Sequence, residues 1–413
     1  LAAVLVCCMV AGMLPPVSSA AGGTVHTPTE DELGDFISYI NRDTIKDGDT
    51  IQITGSAYVG TKTDAPWVIH KELTFEGGTL VLWAGGIVLG KNVTFKNTDI
   101  DFTMVTRNAI AANGHTLTLN NVTSSNLGFN LFCGGMINSN NENLGLPDTT
   151  GTSGKIVIQG STNIQGGKDT KPCNIYAGNL TFGFTGGAGT EGSRAYEGFD
   201  APKNEYEGNA EIQIEGTKDT KVGNIYACGA QQRTPAGSAS GKETTPNPEL
   251  YTVLGTVTIK GHIPNLEIYG AGAAAVHVRH VDKGDGYRAE PTLHDISSLT
   301  VETGKLVPKV ENTLQDRVMN VSVAQGAILD ITQMGSPLTI GNFTGGGSLV
   351  FGQFQELCID GSVTGTTTVG IGGIFNYGSN SAIVPSTGHI YIRAGNSISD
   401  SFELLPYPAC PGM

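Results

Sequence analysis

The chain has 413 residues, of which 58 are glycine and 15% are charged, with a formal net charge of −14. This composition argues against a charged disordered tail and against a helical bundle. The negative charge, with no basic stripe to neutralise phosphates, also argues against nucleic acid as a partner.

Residues 1–21 open as "LAAVLVCCMVAGMLPPVSSA", an apolar run followed by small residues. They read as a secretory signal peptide truncated at its start, cleaved near Ala20 or Ala21. A membrane anchor is the alternative, but the run is short and broken by Pro15 and Pro16. The expectation is a secreted or cell-surface protein with no membrane span after cleavage.

Residues 22–50 are expected to form an N-terminal cap. In "TEDELGDFISYINRDTI", Thr29 and Glu32 have capping-box spacing, and Leu33, Phe36, Ile37 and Ile40 fall on one helix face. From residue 51 to 413 a short pattern recurs: apolar, polar, apolar, one variable residue, then often Gly or Asn. It appears as "IQITG" at Ile51, "LTFEG" at Leu73, "VTFKN" at Val93 and "LTLNN" at Leu117. It returns from Ile156, Ile212, Val257 and Leu299, and again from Val321, Leu338, Leu357 and Ile390. Alternation with period two gives strands with one buried face, and a following Gly or Asn suits a tight bend. One strand and bend every twenty-odd residues fits one turn of a parallel β-solenoid better than a row of sandwich domains. The fold class expected is all-β, a right-handed parallel β-helix with an N-terminal amphipathic cap helix.

The cap segment, "DGDTIQI", "LTFEGG", "VTFKN" and "LTLNNV" together resemble the right-handed parallel β-helix of the pectin-lyase-like group. The Gly-rich units with "NIYAG" variants are similar to repeat-bearing surface proteins of gut Gram-positive bacteria. The resemblance implies architecture and does not imply an activity. "NTDID" at Asn97–Asp101 resembles the Asn-Thr-Asp motif of polygalacturonases, but the further motifs of those enzymes are missing. Asp99 and Asp101 are therefore read as turn residues.

Between residues 126 and 296 the intervals lengthen, through Gly-, Pro- and Asn-rich segments read as loops on one face. In this region "KDTKPCNIYAGN" at Lys168 returns as "KDTKVGNIYACG" at Lys218, with looser copies "NLEIYGAG" and "FNLFCGGM". Burying Glu267 unpaired would be costly, so Ile175, Ile225 and Ile268 should face the core. Phe132, Tyr176, Tyr226 and Tyr269 then form an outward aromatic row, able to stack on sugar rings unless the loops fold over it.

In "VHVRHVDKGDGYRAEPTLHD", His277, Arg279, His280, Asp282 and His294 crowd together, and they are the candidates for acid–base chemistry. The alternative is a solvated inserted loop. Cys133, Cys173, Cys228, Cys358 and Cys410 have no metal or disulfide spacing and read as buried fillers. No metal or cofactor is expected; calcium at the acidic loop around Glu191–Glu207 is the alternative, with no supporting motif. The function expected is a non-catalytic adhesion or binding scaffold whose partner is a polysaccharide or a host or cell-surface protein. A lyase or hydrolase acting on acidic polysaccharide is the first alternative, and a spacer for a domain outside this sequence the second.

Overall fold

A computed structural model describes residues 23–60, 66–83, 85–103, 108–137, 144, 146, 154–167, 173–182, 210–233, 243–252, 255–261, 263, 265–270, 274–279, 288–309, 318–333, 338–351, 356–359, 363–364, 368–377, 380–385, 389–392 and 403–406. The segment read as a signal peptide and most of the long insertions lie outside these residues.

Strands dominate, and helix is confined to two short stretches among the described residues. The largest sheet, here the main sheet, runs from Val25–His26 through Asp49–Gln52, Leu73–Glu76 and Val93–Lys96 to His389–Ile392. Every one of its described pairings is parallel, so successive strands along its path come from successive repeat units. Between visits to the main sheet the chain passes through other sheets. After Leu73–Glu76 it adds Thr79–Leu82 to a three-stranded sheet and Ile87–Leu89 to an eight-stranded sheet, then returns at Val93. The protein is all-β with long parallel sheets, an architecture compatible with a β-solenoid.

All twelve expected strand motifs lie on the main sheet. Their alternation works as anticipated. Ile51, Phe75, Phe95, Leu119 and Ile158 pair rung to rung and are fully buried. Phe75 and Phe95 stack with ring centres 5.3 Å apart. Bends at the ends of four of these strands use Gly or Asn: Gly77, Asn97, Asn121 and Gly160 have φ of 79°, 52°, 52° and 62°. Asparagine tolerates this left-handed conformation better than other side-chain-bearing residues. It also links units here, since Asn121 Nδ2 donates to Asn97 Oδ1 at 3.2 Å.

Three expectations need correcting. The single amphipathic helix is two five-residue helices, α1 (Glu30–Gly34) and α2 (Phe36–Ile40), broken at Asp35. The Thr29–Glu32 capping box is present, but Tyr39 joins Leu33, Phe36 and Ile40 in the buried face while Ile37 is only partly buried. Both helices pack against Ser56–Val59, whereas the end of the main sheet is taken by Val25–His26. Second, the interval between Val257 and Leu299 contains a further main-sheet strand, Ala275–Arg279, with Val276 paired to both. Third, Asp99 and Asp101 lie within strand Asp99–Phe102, outward-facing, and the bend belongs to Asn97.

Candidate functional site

The repeated Asn-Ile-Tyr places each residue in a separate role. Ile175, Ile225 and Ile268 pair in register on the eight-stranded sheet and are fully buried in the main core. The Asn side chain ties one unit to the next. Asn130 Oδ1 accepts from the Asn174 backbone N–H at 2.8 Å, and Asn174 Oδ1 accepts from that of Asn224 at 2.9 Å. The amide nitrogens turn to the rings, Asn174 Nδ2 donating to Tyr176 Oη at 3.2 Å and Asn224 Nδ2 to Tyr226 Oη at 3.3 Å. In the third copy Glu267 takes the Asn position and its Oε2 accepts from Tyr269 Oη at 2.6 Å.

On the side of the sheet away from the core, the rings form a continuous ladder. Ring centres are 4.8 Å apart from Phe132 to Tyr176, 5.2 Å to Tyr226 and 4.8 Å to Tyr269, with planes within 13° of parallel. His294 extends it, stacked on Tyr269 at 4.2 Å and 4°. Exact strand register makes such stacking unavoidable, because parallel neighbours are spaced about 4.8 Å apart.

The ladder is partly covered. Met136, Leu180 and Ala230, from a four-stranded sheet, join Phe132 and Tyr176 in a second hydrophobic cluster. Phe132 and Tyr176 have no exposed surface, while Tyr226 and Tyr269 are half-buried. Burial pushes the Tyr176 phenol well above its usual range and the Tyr226 phenol in the same direction, against the lowering effect of the Asn hydrogen bonds. An outward row is thus present, but the ring faces that sugar stacking requires are occupied by neighbouring rings along the ladder.

The second group of candidates is divided between sheets. His277 and Arg279 lie on the outward side of the main-sheet strand Ala275–Arg279. Both contact Glu302 of the next unit, His277 Nδ1 at 3.5 Å and Arg279 Nε in a close ion pair. His294 belongs to the eight-stranded sheet, with Nε2 3.7 Å from Glu267 Oε2. His280 and Asp282 lie outside the described residues, as does the Glu191–Glu207 segment. Among the described residues no three His, Cys, Asp or Glu side chains are grouped to hold a metal ion. Asp99 accepts from Thr123 Oγ1 at 3.0 Å and Ser125 Oγ at 2.6 Å, contacts that bind one unit to the next. Cys133, Cys173 and Cys228 are buried, with no disulfide among the three.

One surface carried no repeated signal and was missed from sequence. Tyr58 and Trp83 are 49% and 52% exposed on the three-stranded sheet. The alternation in "SAYV" and "TLVLW" could have found them, since each aromatic falls on the polar phase of its strand.

No family model, curated protein or solved structure matches the chain.

Proposed function

We propose that the protein is an exported, non-catalytic binding scaffold, built as a right-handed parallel β-helix with α1 and α2 forming part of its N-terminal cap. The observation that carries this reading is the use made of the chemically capable side chains. Those described are spent on contacts between units: Glu302 engages both His277 and Arg279, and His294 is stacked into the ladder. A polysaccharide lyase needs a base and a cation free to face one substrate. Here the two candidates share a carboxylate and the third lies on another sheet. The signal-like residues 1–21 support export to the surface, where the outer faces and long insertions would meet a polysaccharide or a cell-surface protein. Among the described residues no helix is long and apolar enough to cross a membrane.

The test applies labelled residues 22–413 to a glycan array and, in parallel, to intact cells before and after surface proteolysis. The reading predicts saturable retention by glycans or by protease-sensitive cell sites. Retention by neither would contradict it and favour a spacer.

A further inference from the structure

Residues 23–26 lie across the end of the main sheet with little apolar attachment to the core. Gly23 and Thr24 are exposed and Val25 is 62% exposed, whereas Ile51 in the next strand is fully buried. Val25 and His26 pair with Thr50 and Ile51, and the Thr50 N–H donates to Thr24 O at 2.9 Å. Beyond this backbone pairing, the hydrogen bonds of the segment converge on one carboxylate. Asp49 Oδ1 accepts from the Thr24 N–H at 2.8 Å, and Asp49 Oδ2 lies 2.8 Å from His26 Nε2. Oδ2 also accepts from the Lys46 N–H at 2.7 Å, which ties the carboxylate to the turn before its own strand. Asp49 is buried, so one enclosed group is the meeting point of three contacts. The seat fits the backbone as well. A Cβ at Gly23 would lie 1.8 Å from the Gly48 carbonyl oxygen, so only glycine passes this point without displacing the chain.

We propose that residues 23–26 are a pH-sensitive strap, latched across the end of the main sheet by ionised Asp49 and released in acid while the units behind it stay folded. Opening a segment costs what its own contacts supply, and one that buries little apolar surface opens far below the cost of global unfolding. Protonating Asp49 removes the charge that strengthens all three contacts and turns an acceptor oxygen into an O–H. The other charged groups at this corner do not hold the strap. Asp47 Oδ1 accepts from the Glu72 N–H at 2.8 Å and its Oδ2 lies 3.5 Å from Lys91 Nζ, both in following units. Lys46 contributes its backbone N–H, and His26 is the titratable side chain paired with Asp49. Burial alone would raise the Asp49 pKa, but the contacts with Lys46, His26 and Thr24 outweigh it and hold it low. The strap therefore stays shut until pH falls below the ordinary aspartate value of about 3.9. Release leaves Asp49–Gln52 as the end strand, with N–H and C=O groups on that side no longer paired, the kind of edge that invites further pairing.

Residue-resolved hydrogen–deuterium exchange tests the strap, each rate being divided by the intrinsic rate at that pH. In D49N at neutral pH, the amides of residues 24–26 and Thr50 should exchange about tenfold faster or more, the scale of one lost hydrogen bond to a charged group. Exchange within Leu73–Glu76 and Val93–Lys96 should stay as in the parent. The parent should show the same local change as pH falls below about 3.9, and D47N should leave residues 24–26 protected at neutral pH. G23A, which keeps Asp49 but crowds the seat, should open the strap at every pH. Unchanged exchange at residues 24–26 in D49N would overturn the proposal. So would a rise shared by Leu73–Glu76 and Val93–Lys96, which would make Asp49 an ordinary stabilising residue of the whole fold. If D49N fails to fold, the acid series of the parent decides by the same two criteria.

Discussion

Asn174 makes hydrogen bonds to two neighbouring units and to its own ring, through its backbone N–H, Oδ1 and Nδ2. Replacing it by Leu removes the acceptor for Asn224 and the donor to Tyr176 from a site that is 7% exposed. Leaving such groups unpaired costs about 1–3 kcal/mol, which a urea-unfolding midpoint will show. Tyr176→Phe keeps the stacking and should cost less. Asp49 gives a residue-scale test in pH. It is buried, which by itself raises its pKa, but N–H groups of Lys46 and Thr24 and the His26 ring hold it below the usual Asp range. With a folded pKa below the unfolded one, the unfolded chain binds more protons in the interval between them, so stability rises with pH there. This contribution is complete above the ordinary Asp value of about 3.9 and is lost as pH falls through the folded value. Asp49→Asn should therefore be less stable near neutrality, with the gap to the parent closing in acid.

At the scale of the element, adjacent residues of one strand separate burial from surface charge. Phe95 is fully buried and stacked on Phe75, so Phe95→Ala should cost about 3–5 kcal/mol. Lys96 pairs with Glu76 of the preceding unit at 2.9 Å, but both side chains are substantially exposed. Lys96→Ala should stay within about 1 kcal/mol. Thermal or urea unfolding of the two variants checks both values. The same contrast explains what the sequence revealed. Strands such as Val93–Lys96 were legible because burial imposes alternation and the bend demands Gly or Asn. Ala275–Arg279 reads as a strand with His277 and Arg279 on one side, but it falls outside the repeat pattern because His280, and not a bend residue, follows it. Asp99 and Asp101 read as turn residues because Asn-Thr-Asp has turn composition, yet of this stretch only Asn97 has positive φ. Alternation also gave the outward side of Tyr176. It could not show that register would place ring upon ring, nor that Met136 and Leu180, far apart in sequence, would close over them.

Over the whole molecule, the main sheet strings fourteen strands along one path, with one further strand paired beside it. At about 4.8 Å per step, that path is roughly 60 Å long, with side chains repeating in straight rows along it. Rows suit two purposes. Inward they make a continuous core, and outward they repeat one chemistry along the sheet, a surface that would suit an extended partner under the proposed function. Catalysis asks for something different, a local breach of the repeat where unlike groups converge on one bond. The described His277–Glu302–Arg279 contacts instead join one unit to the next. The central proposal is that the protein is a scaffold that holds its partner without altering it. The most direct measurement is mass spectrometry of an oligosaccharide retained on the array, recovered after prolonged incubation with residues 22–413. The account predicts that the sugar returns bound, at its original length and without a new double bond. A shortened or unsaturated product, abolished in H277A or R279A, would contradict it and make the molecule an enzyme.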